Sequence, residues 1–128
     1  MNKVYPAIFE LDPVGYGIYF PDVEGAVTQG ATVPEGLTMA ADALGIMLAD
    51  LIANEETLPE PTPINEIDYD KETQFVTLVA VNLADYLKEA KLDKKNVSIP
   101  HWLNVRAEKA GVNFSKTLTE ALMEKLNV

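Results

Sequence analysis

The chain has 128 residues, of which 48% are hydrophobic and 23% charged, a balance typical of one ordinary globular domain or two small ones. It contains no cysteine and a single histidine, His101, so disulfides and thiolate metal sites are excluded and a zinc centre is disfavoured. With no signal peptide and no run of 18 apolar residues in view, we expect a cytoplasmic protein without membrane contacts or a cofactor.

The net charge of −10 is divided unevenly along the chain. Residues 1–85 hold 15 acidic residues and two lysines, a net charge of −13, whereas residues 86–128 hold eight Lys and Arg and five acids, a net charge of +3. Salt screens charges over roughly 8 Å, so the local sign matters more than the total. The first part is therefore expected to bind a basic partner, and the second is compatible with nucleic acid.

Three strands are predicted near the start of the chain. Residues 4–10 form the first, and a turn at residues 12–15 leads into the second, residues 16–20, in which large apolar side chains alternate with their neighbours. A further turn leads into the third strand at residues 26–30. Such short turns join neighbouring antiparallel strands, so the sequence predicts a three-stranded meander.

A long helix should follow the meander. Thr32 and Glu35 have the spacing of a capping box, which satisfies free backbone amides at a helix start. The helix is predicted to continue to about Asn54, with an apolar stripe that would lie on the sheet, formed by Leu37, Ala40, Ala41, Leu44, Met47, Leu48, Leu51 and Ile52.

Three further segments complete the first part of the chain. Residues 55–66 contain three prolines and should be an extended loop. Residues 74–81, the most apolar run, read as a buried strand that returns to the sheet. Residues 82–90 could form a short helix with Asn82 as its cap, and residues 88–95 would be a basic connection.

The end of the chain predicts one strand and two compact helices. Residues 95–100 alternate between apolar and small polar side chains until Pro100, and helical spacing begins at Trp102 and ends at the capping residue Gly111. A second helix should start near Asn113 or Ser115. This order is that of a ribbon-helix-helix unit, so we expect two domains, residues 1–85 and residues 86–128.

A unit of this size needs a partner, because roughly 40 residues without metal or disulfides rarely bury an adequate core. Two copies that pair their strands across a two-fold axis would bury an apolar set, predicted as the dimer interface: Val97, Ile99, Trp102, Leu118 and Leu122. A two-stranded ribbon fits the major groove of DNA, and a helix start binds phosphate. The candidate base-reading residues are Lys94, Asn96 and Ser98, and the candidate phosphate contacts are Asn113, Ser115 and Lys116.

Catalysis is not indicated by the distribution of acids. A two-metal nuclease needs several carboxylates that converge on ions about 4 Å apart. The available acids, Glu10, Asp12, Asp22, Glu24, Asp42 and Asp50, fall at a strand end, in a turn and off the apolar stripe of the long helix, as hydrated surface acids do. A serine nucleophile would need His101, which directly follows the strand-ending proline.

In both parts the identities of the residues point to a particular family more specifically than the periodicity does. In the C-terminal part it reads NVSIP at residues 96–100, then WL, AEKAGVNFS at residues 107–115 and LTEAL at residues 118–122. In the N-terminal part it reads GYGIYFPDVEG at residues 15–25, TQGAT at residues 28–32 and ADAL at residues 41–44. Together these resemble the HicB antitoxins of the ribbon-helix-helix type, with Val23 and Glu24 as modest departures that make one turn more acidic.

The resemblance implies an α+β chain, with a partial ribonuclease-H-like N-terminal domain and a ribbon-helix-helix domain that dimerises. It implies a non-enzymatic antitoxin that binds a small basic HicA-type toxin, an mRNA endoribonuclease, and occludes its active site. It also implies that a homodimer, or a tetramer, binds operator DNA and represses its own operon. Charge and loop position suggest Asp22, Glu24 and Glu35 as toxin contacts.

Two other functions remain open at this point. A ligand-sensing repressor would keep the DNA-binding unit and use the N-terminal domain as a small-molecule sensor. A metal-dependent nuclease would require magnesium or manganese and would lose activity when Glu10 or Asp22 is replaced.

Overall fold

The structure, a computed structural model, describes residues 2–87 and 92–127 and divides the chain into two compact units, residues 1–88 and 89–128. This division falls three residues after the boundary expected from the sequence. The predicted basic connection at residues 88–95 lies partly outside the described residues, as does the last part of the short helix predicted at residues 82–90.

The first unit contains a four-stranded antiparallel sheet in the order β3-β2-β1-β4. The predicted meander and the further strand are confirmed, with bounds β1 Asn2–Asp12, β2 Gly15–Tyr19, β3 Val27–Gly30 and β4 Gln74–Asn82. β1 lies in the middle and pairs with β2 through Phe9 opposite Ile18, and with β4 through Phe9 opposite Phe75. Aromatic stacking supports this register, since the rings of Phe9 and Phe75 lie 4.8 Å apart.

One face of the sheet is covered by the helix α1, Val33–Ala53. The threonine half of the predicted capping box is confirmed, because the Thr32 hydroxyl accepts a hydrogen bond from the Glu35 amide at 3.3 Å. α1 approaches the sheet closely at Gly36, which has no side chain. A Cβ at this position would lie 2.8 Å from the Phe9 ring. Phe9 and Ile18 therefore pack directly under the first turns of α1, and both are almost fully buried.

By length and composition α1 could also cross a membrane. It is rich in Ala, Leu and Met and has few charges, a composition that core helices share. It is not an unbroken apolar run, because Glu35, Asp42 and Asp50 interrupt it. Its buried side packs on the sheet through Gly36, Ala40, Leu44, Gly45 and Leu48.

The strand β4 differs from its prediction as a buried strand. It is an edge strand, paired with β1, and its side chains alternate between buried and exposed over its second half. Val79 and Val81 are buried, whereas Leu78 is 51% exposed. The physical reason is that α1 covers one face of the sheet, so only every second residue of β4 reaches the core under it.

A connecting segment, residues 54–73, leads from α1 to β4 and includes a 3-10 turn, Ile64–Glu66. Residues 56–63 have no regular secondary structure, in agreement with the loop predicted from the prolines. After β4 the chain forms a 3-10 turn, Leu83–Tyr86, instead of the longer helix expected there. Asn82 caps this turn as predicted, since its side chain accepts a hydrogen bond from the Ala84 amide.

The second unit contains two helices, α2 (His101–Lys109) and α3 (Phe114–Leu126), close to their predicted bounds. Gly111 ends α2 in a left-handed conformation with φ of +70°. The amide of Gly111 bonds the Glu108 carbonyl and the amide of Val112 bonds the Ala107 carbonyl. This pair of bonds is a Schellman motif, which explains why glycine stands at this position.

The predicted strand at residues 95–100 has no regular secondary structure in the single chain. In the expected two-stranded ribbon this segment forms its hydrogen bonds with the same segment of a second copy. A single chain does not contain that second strand. The strand therefore stays a prediction.

Candidate partner-binding and DNA-binding surfaces

The connecting segment is held against the sheet by the carboxylate of Asp22. One oxygen of Asp22 accepts a hydrogen bond from the Thr62 amide at 2.8 Å, and the other accepts one from the Thr62 hydroxyl at 2.6 Å. Asp22 follows β2 in the sequence, and the two residues are 40 positions apart. This pair therefore fixes the middle of the segment to the turn between β2 and β3.

A second attachment lies beside the first. The buried Tyr5 side chain of β1 donates its hydroxyl hydrogen bond to the Pro59 carbonyl, and Leu58 is buried next to it in sequence. Burial raises the pKa of Tyr5 above its usual value of 10, and the nearby carboxylates of Glu60 and Asp22 raise it further. The hydroxyl is therefore neutral at physiological pH and keeps its donor for Pro59.

The connecting segment runs from the end of β2 to β4. It is tied to Asp22 beyond the end of β2, and its 3-10 turn at residues 64–66 contacts β4 on the other side of β1. We call the sheet face turned away from α1 the far face. Pro6 and Ile8 point to this face, because they alternate along β1 with Phe9, which packs under α1, and both are buried.

The far face is apolar but incompletely covered. Val27, Tyr19, Ile8 and Val76 are directly opposite one another across the four strands, and Leu78 and Val4 lie in the next rows. Of the larger side chains on this face, the exposed ones are Val4, Tyr19, Val27 and Leu78. Apolar side chains grouped in this way on a surface are typical of a binding site rather than of scattered surface residues.

Acidic side chains alternate along the last part of the connecting segment. Residues 66–72, which we call the acidic segment, contain Glu66, Asp68, Asp70 and Glu72, and all four are exposed. The segment ends at β4, where the Gln74 amide bonds the Asp70 carbonyl at 2.7 Å. Its carboxylates therefore lie beside the strand that carries Leu78.

The three residues predicted as toxin contacts are not brought together. Asp22 and Glu24 lie in the turn after β2, whereas Glu35 lies in the first turn of α1, near Asp12 and Gly30 at the other end of the sheet. Both carboxylate oxygens of Asp22 accept hydrogen bonds from Thr62, so this residue has a structural role. Glu24 and Glu35 are exposed.

The remaining acids of the first unit do not form a metal centre. Within the described ranges, no three His, Cys, Asp or Glu side chains are grouped closely enough to hold a metal ion. Asp12 and Glu35 line a small cavity of about 200 Å³, where Asp12 accepts a hydrogen bond from the Val14 amide at 2.9 Å. Glu10 accepts one from the Gln74 side chain at 3.3 Å, and Asp42 accepts one from the Tyr86 hydroxyl at 2.9 Å.

The second unit exposes an apolar groove of about 420 Å³. Among the residues described in α2 and α3, none is buried. The groove is lined mainly by apolar side chains from the segment before α2 and from both helices, including Val97, Ile99, Leu103, Phe114 and Leu118. Three of the five predicted dimer residues, Val97, Ile99 and Leu118, thus share one surface.

The other two predicted dimer residues lie outside this groove. Trp102 is exposed, and the guanidinium carbon of Arg106 lies 6.0 Å from the centroid of its ring, within the range of a cation–π contact. Leu122 is exposed on α3.

The candidate DNA-reading residues alternate in the sequence with residues that line the groove. Lys95, Val97 and Ile99 line it, whereas Lys94, Asn96 and Ser98 do not and are exposed. This separation is the two-sided pattern of an extended segment.

The candidate phosphate site is the start of α3. Asn113 caps the helix, as predicted, by accepting a hydrogen bond from the Lys116 amide at 3.0 Å. Its side chain thereby satisfies one of the amides that the prediction assigned to phosphate, and the Lys116 side chain is exposed. Ser115 lines the apolar groove and its carbonyl accepts a hydrogen bond from the Thr119 hydroxyl.

Sequence reasoning missed the acidic segment. Its signal was the strict alternation of acids with Ile67, Tyr69 and Lys71 at residues 66–72, which follows the proline-rich loop. The attachment through Thr62 had no local signal, because its partner lies 40 residues away.

An acidic α+β unit joined to a basic helical unit with an open apolar groove has the character of a regulatory binding protein. The sequence profile described as HicB-like antitoxin of bacterial toxin–antitoxin system matches residues 5–124. The chain therefore belongs to the HicB-like antitoxin family. This family is regulatory and non-enzymatic, which confirms the expectation that the chain is not an enzyme.

Individual relatives agree with the family. A toxin–antitoxin complex from Streptococcus pneumoniae contains a chain that is 34% identical, with 98% of this chain and 99% of that chain covered and a TM-score of 0.65. The antitoxin HicB 1 of Photorhabdus laumondii is 39% identical over 69 residues, which are 53% of this chain and 44% of that protein.

A chain of a HicA3 and HicB3 toxin–antitoxin complex shares the fold at a TM-score of 0.54. It is 24% identical, with 62% of this chain and 99% of that chain covered. The α+β architecture, with an antiparallel sheet and three helices, is thus that of known HicB antitoxins.

Proposed function

We propose that this chain neutralises a cognate HicA-type toxin, an mRNA endoribonuclease, by binding it through the first unit and blocking access to its active site. The observation that carries the proposal is the strong acidity of this unit, 15 acids against two lysines in residues 1–85. A toxin that holds RNA phosphates must present a basic surface, and opposite potentials speed its encounter with an acidic inhibitor.

Neutralisation would be steric and electrostatic, without chemistry by this chain. The first unit would be a partial ribonuclease-H-like fold that lacks the convergent carboxylates of a nuclease, consistent with the scattered acids described above. The complex would form in the cytoplasm, where mRNA is available to the toxin. Glu24 and Glu35 remain candidate contacts because both are exposed, whereas Asp22 would act through the connecting segment that it holds.

The second unit would dimerise as a ribbon-helix-helix domain and bind the operator of its own operon. Its apolar groove supports this proposal, because a partner copy would cover Val97, Ile99 and Leu118. Pairing of the two segments at residues 95–100 would then present Asn96 and Ser98 with Lys94 to the major groove. Asn113, Ser115 and Lys116 would lie near the phosphates, with Lys116 as the cation.

Co-expression tests the antitoxin function. The small open reading frame beside this gene would be induced alone and together with the tagged chain, and growth and recovery of the complex would be measured. We expect growth arrest by the neighbour alone, rescue by the chain and recovery of both proteins together. A neighbour that is harmless, or whose toxicity the chain does not relieve, would contradict the proposal.

A further inference from the structure

The far face is the exposed apolar surface of the first unit that lies beside a cluster of acidic residues. Its exposed members, Val4, Tyr19, Val27 and Leu78, belong to all four strands, so a partner could contact more than one strand. Ile8 and Pro6 lie between them on the same face and are buried. The face is thus a firm platform, with β-sheet hydrogen bonds on both sides of β1.

The acidic segment gives this platform one edge of negative charge. Four carboxylates occur within seven residues, with Lys71 as the single basic residue among them. The segment is fixed at both ends, by Thr62 on Asp22 before it and by the Gln74 amide on the Asp70 carbonyl at its end. Charges held on a fixed backbone keep their geometry, so a partner loses less conformational freedom in pairing with them.

The negative charge of the acidic segment favours a cationic protein over a second copy of this chain as the partner of the far face. A second copy would bring another first unit with 15 acids and two lysines against the same acidic edge, and the two would repel. A cationic protein would gain from the same edge. Interfaces of this kind combine an apolar centre with a charged rim, which is the arrangement present here.

The outer side of α1 is the competing surface and is less suited. It also exposes large apolar side chains, Leu37, Met39 and Ile46. Its acids are fewer and more widely spaced, and one of them, Asp42, accepts the hydrogen bond of Tyr86. This side therefore offers apolar area without a concentrated charge.

We propose that the far face and the acidic segment together form the docking surface for a small cationic toxin, which would place an apolar side chain near Leu78 and lysines or arginines against residues 66–72. This proposal rests on the antitoxin function proposed above and assigns that function to one surface. It centres the contact on the sheet and on residues 66–72; Glu24 lies in the turn that joins Tyr19 to Val27, whereas Glu35 lies at the other end of the sheet.

The test compares two exposed apolar residues of nearly equal exposure. Leu78 on the far face is 51% exposed and Ile46 on α1 is 53% exposed. Full-length Leu78→Arg and Ile46→Arg would be titrated with the purified toxin encoded beside this gene, after circular dichroism and urea unfolding confirm that both variants fold. We expect Leu78→Arg to lose about 30-fold or more in affinity, as at an interface hot spot. Ile46→Arg should stay within about threefold of the wild type.

A second pair of variants tests the charge without changing the apolar surface. Glu66→Gln with Asp68→Asn removes two charges from the acidic segment, and Asp50→Asn with Glu56→Gln removes two exposed charges elsewhere. We expect the first pair to slow association about tenfold at low salt, with a difference that shrinks as salt is added, and the second pair to slow it much less. Equal slowing by both pairs would contradict a local role for the acidic segment.

The outcomes separate this proposal from the function on which it rests. Wild-type affinity for Leu78→Arg with a loss for Ile46→Arg would move the docking surface to α1 and leave the antitoxin function intact. A change in the mass of the free chain on Leu78→Arg, with unchanged toxin affinity, would assign the far face to a second copy. A wild-type chain that binds no toxin would overturn the proposed function, and this docking surface with it.

Discussion

Asp22 has a structural role that its sequence context does not reveal. Its charge and position in a turn suggested a toxin contact, but its carboxylate accepts two hydrogen bonds from Thr62. The sequence shows the acid and does not show the donor 40 residues away. Local caps are different, because Thr32 with Glu35 and Asn113 with Lys116 lie within one helical turn and were predicted from spacing.

The role of Asp22 leads to a stability prediction. Asp22→Ala removes both acceptors and leaves the part-buried Thr62 amide without its bond, so we expect the free energy of unfolding to fall by about 1–3 kcal/mol. The measurement is urea denaturation of the full-length chain. Glu24→Ala, an exposed acid in the same turn, is the control and should change stability by no more than about 0.5 kcal/mol. Equal effects of the two variants would show that the attachment contributes nothing.

At the scale of elements, helices and their ends were easier to predict than the position of a strand in a sheet. The long helix and both C-terminal helices follow from periodicity and capping. The apolar run of β4 has the composition of a central strand, yet this strand lies at an edge. The pairing of strands depends on contacts between residues distant in sequence. The alternation of apolar and polar residues that marks a strand covered on one face is hidden when both of its faces carry apolar residues.

The packing of α1 against the 3-10 turn at residues 83–86 gives a second prediction. A Cβ at Gly45 would lie 2.3 Å from the Tyr86 ring, so Gly45→Ala must displace the ring from its hydrogen bond with Asp42. In the wild-type background we expect this clash to outweigh the roughly 1 kcal/mol gain in helix propensity, and the melting temperature to fall. In a Tyr86→Ala background the same change should stabilise the protein. Stabilisation in both backgrounds would show that the ring moves aside without cost.

At the scale of the whole molecule, the uneven charge was visible in the sequence and indicated two units with different partners. The resemblance to HicB antitoxins fixed the family, which the match over residues 5–124 supports. The path of the connecting segment could not be predicted, because it depends on Asp22, Tyr5 and β4 being assembled first. The acidic segment gains its significance only from that path.

The proposed assignment of separate partners to the two units predicts separable defects. Asn96→Ala removes a side chain of the proposed DNA ribbon, so we expect operator binding to weaken by about 1–3 kcal/mol while toxin neutralisation persists. A gel-shift titration at fixed salt measures the first property, and a growth assay with the co-expressed toxin measures the second. Asn104→Ala, on α2 outside the proposed ribbon, is the matched control. Unchanged operator affinity of Asn96→Ala would remove this face from the DNA interface.

The most direct test of the account is RNA cleavage by the purified toxin, measured while the full-length chain is added in increasing amounts. We predict that cleavage falls in proportion to the added chain and stops once every toxin molecule is bound, because in the proposed complex the acidic unit would occupy the RNA-binding surface. Cleavage that continues at full rate in the presence of excess chain would contradict the account.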